Sequence, residues 1–87
     1  MRVLLVEDDR MIGEEMERSL RLEAYAVDWI RDGEGAFAAL DSHTYDNVLL
    51  DLGLPRHDGH SVLAHVRRRH DAVPVVIVTA RDRKSVV

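Results

Sequence analysis

Cysteine is absent from this 87-residue chain, which excludes disulfides, zinc–thiolate sites and thiol catalysis. No apolar run approaches the roughly 20 residues needed to cross a bilayer. The opening stretch from Met1 to Asp9 turns acidic too soon for a secretory leader. A cytoplasmic protein without membrane contact is therefore expected. Basic residues are in deficit, 12 Lys and Arg against 16 Asp and Glu, for a formal net charge of -4. That balance argues against direct nucleic-acid contact by this chain and is compatible with an acidic, cation-binding pocket. Aromatic residues are few, and Trp29, Tyr25, Phe37 and Tyr45 read as packing residues, not as a stacking platform. No internal repeat, low-complexity tract or linker divides the chain, so one small domain over 1–87 is expected. Its 46 % hydrophobic content supports an ordered core.

What the chain does have is a set of short aliphatic runs, each ending in an oxygen-bearing side chain. Val3-Leu4-Leu5-Val6 leads into Glu7-Asp8-Asp9, Val48-Leu49-Leu50 into Asp51, and Val75-Val76-Ile77-Val78 into Thr79. Apolar runs without alternation suit strands buried on both faces of a parallel sheet. The carboxyl ends of parallel strands share one edge, where open α/β sheets place their ligands. Acids and a hydroxyl far apart in sequence would then converge.

Between these runs lie helical patterns. Strands are expected at about 2–6, 26–30, 47–50 and 75–78, and helices at about 10–23, 34–42 and 59–69. Ile12, Met16 and Leu20, spaced i, i+4, i+8, make the buried stripe expected of the first helix, and Asp8 or Asp9 is placed to cap it. The second strand, Ala26 to Ile30, carries a charge in mid-run, which suits a position nearer a sheet edge. Asp32-Gly33 reads as a turn. Ala36, Phe37 and Leu40 face inward on the second helix, and Val62, Leu63 and Val66 on the third. The segment Gly53 to Gly59 has turn chemistry at both ends. Alternating strands and helices with right-handed crossovers give a layered α/β sheet of order 2-1-3-4, with a topological switch point beside Asp8 and Asp51.

A magnesium ion prefers near-octahedral oxygen ligation and typically takes one or two carboxylates plus phosphoryl oxygens. Asp8 and Asp51 can supply the carboxylates, with Glu7 direct or through water. Clustered acids repel one another, which makes a dication welcome. A carboxylate can also act as a nucleophile and form an acyl phosphate, and Thr79 could donate its hydroxyl to the transferred group. Each residue alone has an ordinary explanation: Asp8 and Asp9 as helix caps, Asp51 as a solvated strand-end acid, Thr79 as a β-branched strand residue. Their conjunction, with Pro55 and Asp58-Gly59 at the proper spacing, favours the site. The run Arg67-Arg68-Arg69-His70 reads as cations at a helix carboxyl end, and His57, His60 and His65 as solvated side chains.

The stretches LLVEDD (4–9), DLGLPRHDG (51–59) and VIVTARD (76–82) together resemble the receiver domain of bacterial two-component response regulators, in the branch usually joined to a winged-helix DNA-binding domain. The resemblance covers nearly the whole chain. It implies a flavodoxin-like doubly wound parallel sheet and a phosphoacceptor at Asp51, phosphorylated by a sensor histidine kinase. It implies an acidic pair at Glu7 and Asp8, with Asp8 a direct Mg2+ ligand and the carbonyl of Gly53 another. Thr79 is implied as the switch hydroxyl, with Ala80 beside it at the phosphoryl group. Asp9 falls just past the pair and reads as a cap.

Family members have five strand–helix units, which at roughly 24 residues each need about 120, whereas this sequence has 87. The expectation is a receiver that stops just after the fourth strand and lacks the fourth helix and the fifth strand–helix unit, and with that unit the family lysine and switch aromatic; Lys84 lies too close to Thr79 to align with that lysine. An exposed apolar fourth-strand edge is then expected to drive homodimerisation or domain swapping, and phosphorylation to be slow. Two function classes follow: a phosphorelay receiver that is no enzyme beyond self-catalysed phosphoryl acceptance, or a signalling-impaired receiver acting as a dimerisation or interaction module. A magnesium-dependent aspartyl-phosphate hydrolase is disfavoured, because such enzymes need a second acid where this chain has Gly53.

Overall fold

The five-residue strand β1 (Arg2–Val6) is apolar from its second residue onward, and both of its faces are buried. This is possible because β1 is central. It pairs in parallel with β2 (Ala26–Ile30) on one side, with Leu5 opposite Trp29, and with β3 (Asn47–Leu50) on the other, with Leu5 opposite Leu49. β3 in turn pairs in parallel with β4 (Val75–Ile77). The sheet order is β2-β1-β3-β4, as the alternation of elements implies. The computed structural model describes residues 1–54, 58–69 and 72–78.

Three helices connect these strands: α1 (Arg10–Leu22), α2 (Gly33–Ser42) and α3 (Asp58–Arg69). Successive strand residues point to opposite faces. One face carries Leu4, Val6, Val48 and Leu50, which pack with Ala36 and Leu40 of α2 and with Val62 and Val66 of α3. This cluster, with Tyr45 and Leu54, is the main core. The other face carries Leu5 and Trp29, and α1 lies on it, with Gly13 directly against the indole ring.

Several boundaries and orientations differ from expectation for physical reasons. Ile12, Met16 and Leu20 are half-buried, and Gly13 is the residue of α1 that is buried. The helix approaches the sheet through a glycine because a broad ring lies beneath it. Asp32-Gly33 is a helix start instead of a free turn: Asp32 Oδ1 accepts the Gly35 N–H at 2.7 Å, which caps α2. Helix α3 likewise begins one residue early, at Asp58. The run 75–78 is not buried on both faces, since Val76 and Ile77 are 49 % and 42 % exposed; they sit on an outer strand of the described sheet. Phe37 is half-buried against the core. His65 is not solvated: its ring lies tilted against Phe37, with centroids 4.7 Å apart, and its Nε2 is 3.2 Å from Asp41 Oδ1 across the α2–α3 contact. His60 is exposed, as expected. His57 and His70 lie outside the described residues. The arginines Arg67, Arg68 and Arg69 do occupy the last turn of α3.

Candidate functional site

The carboxyl ends of β1 and β3 are adjacent, because Val6 is in register with Leu50. The next residue on each strand is therefore an acid at the same rim. Glu7 and Asp51 are 1 % and 2 % exposed, and they are the buried charged residues among those described. The Asp51 N–H donates to Val6 O at 3.1 Å, so pairing between the two strands continues into the site. One ligand oxygen each from Glu7, Asp8 and Asp51 can be chosen such that all three lie within 4.8 Å of one another. Two of the three expected side chains, Asp8 and Asp51, thus meet with Glu7. Thr79 and Ala80, and Pro55 in the loop, lie outside the described residues, but pairing along β4 reaches as far as the Val78 N–H, which donates to Leu50 O at 2.7 Å.

Local hydrogen bonds orient each group. Asp51 Oδ1 accepts the Gly53 N–H at 2.8 Å, a short loop closure that aims the carboxylate. Asp9 is the N-cap of α1: its Oδ1 accepts the Ile12 N–H at 3.0 Å, while its own N–H donates to Glu7 Oε2 at 3.1 Å. Asp58 and Gly59 act behind the site. Asp58 Oδ2 accepts the Gly33 N–H at 3.4 Å, joining the starts of α2 and α3. Gly59 lets α3 press on the acceptor loop, because a Cβ there would sit 2.6 Å from Leu52 Cα and 2.7 Å from Asp51 O.

The electrostatics of the cluster are unfavourable without a cation. Burial pushes the Glu7 carboxyl up to about 7, and the neighbouring Asp51 and Asp8 carboxylates add to the rise, opposed by the Asp9 N–H. Glu7 Oε1 is buried with no hydrogen-bond partner, whereas buried polar atoms are nearly always satisfied. An unpartnered carboxylate oxygen facing two more carboxylates fits a hard divalent cation such as Mg2+, so the donor set suits the ion expected from sequence.

Other contacts at the rim escaped sequence reasoning. Trp29 Nε1 donates to Glu7 O at 2.9 Å, and Arg31 Nη2 donates to Asp8 O at 2.9 Å. At the opposite end of the sheet the Tyr45 hydroxyl donates to Asp28 Oδ2 at 2.7 Å. That bond, reinforced by Arg2, holds the Asp28 carboxyl below its ordinary value; burial and then Asp28 raise the Tyr45 phenol. The mid-strand charge of Asp28 is thereby kept ionised and is compensated by the Tyr45 hydroxyl and by Arg2 Nε at 3.1 Å.

Comparison with known proteins agrees with this geometry. The chain matches the family model for the response regulator receiver domain over residues 3–87. It is 51 % identical over 82 residues to the transcriptional regulatory protein QseB of Haemophilus influenzae, covering 94 % of this chain and 37 % of that protein. The chain thus spans a little over a third of the length of that relative. Among solved structures it is similar to the receiver domain of sensor histidine kinase PA1611 from Pseudomonas aeruginosa, which has magnesium coordinated in its active-site cleft. That match has a TM-score of 0.85 at 32 % identity and covers 95 % of this chain and 73 % of that one. It is also similar to a chain in the complex of histidine kinase ThkA with response regulator TrrA of Thermotoga maritima, with a TM-score of 0.82 at 32 % identity, covering 91 % and 68 % of the two chains. A family match across nearly all residues, with the acids of β1 and β3 meeting at one rim, places this chain in the response regulator receiver domain family.

Proposed function

We propose that this protein is a two-component signalling switch that accepts a phosphoryl group on Asp51 from a sensor histidine kinase, with Mg2+ at the acidic cluster. The observation that carries this reading is the meeting of Glu7, Asp8 and Asp51 within 4.8 Å, with Glu7 Oε1 buried and unpartnered. Asp8, Asp51 and Glu7 would hold the ion, together with the Gly53 carbonyl. When bound, Mg2+ neutralises charge on the phosphoryl oxygens and on the acids around them. Asp51 attacks phosphorus through a carboxylate oxygen, and the phosphorus–nitrogen bond of the donor phosphohistidine breaks. The electron pair stays on the imidazole nitrogen, and an acyl phosphate forms on Asp51. The Gly53 N–H holds the attacking carboxylate in one orientation. Thr79 and Ala80, next in sequence after Val78, are the residues this reading assigns to the transferred group.

The protein is a phosphoryl acceptor and not a turnover enzyme. In this reading it works in the cytoplasm and serves transcriptional regulation through an output domain that is not among these 87 residues; the name of its Haemophilus relative supports the transcriptional role. Incubation with Mg2+ and acetyl phosphate should add one phosphoryl mass to the chain and none to Asp51→Asn. Labelling of both, or of neither, overturns the reading.

A second reading, an interaction module that dimerises, has one observation in its favour. β4 is the last strand of the described sheet, and its Val76 and Ile77 side chains are half-exposed. Dimer formation without any labelling of Asp51 would favour this second role alone.

A further inference from the structure

Three consecutive residues at the end of β2 bind the backbone of the acidic pair. The Trp29 indole N–H donates to Glu7 O, the Ile30 carbonyl accepts the Glu7 N–H at 3.0 Å, and the Arg31 guanidinium donates to Asp8 O. Only the middle bond belongs to the strand ladder. The outer two come from side chains, and each holds the carbonyl of a residue whose carboxylate faces the proposed cation.

The two side chains are themselves fixed. The indole lies against α1 at Gly13: a Cβ there would fall 2.1 Å from its Cζ2 and 2.4 Å from its Cε2, so the glycine leaves the space that the ring fills. The Arg31 guanidinium carbon lies 5.9 Å from the Trp29 ring centroid, within the range of a cation–π contact. Trp29 is thus braced by α1, and Arg31 is braced by Trp29. The strand-to-helix junction at Glu7 and Asp8 has no freedom to rotate its peptide groups without breaking one of these bonds.

We propose that Trp29 and Arg31 are positioning residues of the acidic pair, which set its affinity for a divalent cation by holding the Glu7 and Asp8 backbone. This rests on the receiver reading given above. Partners that orient metal ligands commonly change affinity by about 10–100-fold when removed. The bonds here act through the backbone, so a loss near the lower end, about tenfold, is expected.

The sign of the Arg31 effect separates positioning from simple electrostatics. Removing a cation hydrogen-bonded to the Asp8 carbonyl should, by charge alone, leave Mg2+ binding unchanged or strengthen it. If Arg31 positions Asp8, its removal weakens binding instead.

The test uses the full chain with Mg2+ alone, titrated by calorimetry and by the amide NMR shifts of Glu7, Asp8 and Asp51, alongside the metal-free thermal midpoint. Trp29→Phe keeps a ring over Gly13 and deletes the donor. Arg31→Gln deletes the guanidinium, and Arg31→Lys restores charge and one donor group. The expected result is about tenfold weaker Mg2+ binding for Trp29→Phe and Arg31→Gln, partial recovery in Arg31→Lys, and less than additive loss in the double variant. Arg31 is exposed, so its variants decide the matter even if Trp29→Phe folds poorly. Unchanged or tighter Mg2+ binding by folded Arg31→Gln overturns the inference while leaving the receiver reading intact. No Mg2+ binding by the unsubstituted protein overturns both.

Discussion

Glu7 carries the most instructive charge in the molecule, because its folded and unfolded states bind protons differently. Its carboxyl titrates near 4.5 when free and is pushed up to about 7 in the fold. Between these values the folded chain holds a proton that the unfolded chain has lost, so without metal, stability falls as pH rises through that window. The shift corresponds to about 3 kcal/mol. Urea unfolding of the metal-free protein at pH 5 and pH 8 should show the lower midpoint at pH 8, and Glu7→Gln should flatten that dependence; a higher midpoint at pH 8 would contradict the buried, crowded carboxyl. The acids themselves were legible in sequence because each stands at the end of an aliphatic run, and strand register then dictates where it lies. Trp29 and Arg31 were not legible as partners of Glu7 and Asp8. Their bonds depend on the direction of two side chains leaving β2, which no spacing rule encodes. The same holds for Tyr45 and Asp28, neighbours only after β2 and β3 flank β1. Asp28 alone suggested an edge strand, and Tyr45 alone a packing residue; the 2.7 Å bond between them makes both statements consequences of one contact.

Helix ends and close approaches control how the elements meet. Helix α1 ends in a left-handed cap: Ala24 has φ 70, its N–H donates to Arg21 O, and the Tyr25 N–H reaches back to Leu20 O at 3.1 Å. These two bonds form the Schellman arrangement, in which the left-handed position usually belongs to glycine. An alanine there carries a steric cost from its Cβ, so Ala24→Gly should stabilise the protein by about 1 kcal/mol, read as a higher urea midpoint at unchanged slope. Gly59 shows the opposite case. A Cβ at this position would meet Leu52 Cα at 2.6 Å and Asp51 O at 2.7 Å, which are backbone atoms without a flexible end to move aside. Gly59→Ala should cost about 1–3 kcal/mol and displace the acceptor loop, so its Mg2+ affinity should fall together with its thermal midpoint. Sequence patterns located these elements to within a residue or two, since apolar runs and helical spacing are local signals. They erred where a distant element decides: α1 comes closest to the sheet at Gly13, over the Trp29 ring, and the stripe of Ile12, Met16 and Leu20 is only half-buried.

At the scale of the whole molecule, the sheet is protected unevenly. β1 is enclosed by strands on both sides and by helices on both faces, whereas β4, one of the two outer strands of the described sheet, exposes about half of Val76 and of Ile77. An apolar strand at a sheet edge offers both unpaired backbone groups and side chains that gain by leaving water. The strand order that put Asp51 next to Glu7 was legible from the alternation of runs and helices. It also placed β4 at the margin of the described sheet, so the site and the proposed association trace to one topology. Sedimentation velocity across the micromolar range should therefore show a mass that rises with concentration. Val76→Lys places a charge on the exposed part of the strand, the device by which natural edge strands resist pairing. It should return the protein to a monomer at concentrations where the unsubstituted chain associates, without changing Mg2+ affinity, because Val76 is in register with Leu49, two residues short of Asp51 on β3. A unsubstituted chain that remains monomeric throughout the range would remove the edge from the account, and a Val76→Lys variant that associates as before would place the contact on another surface.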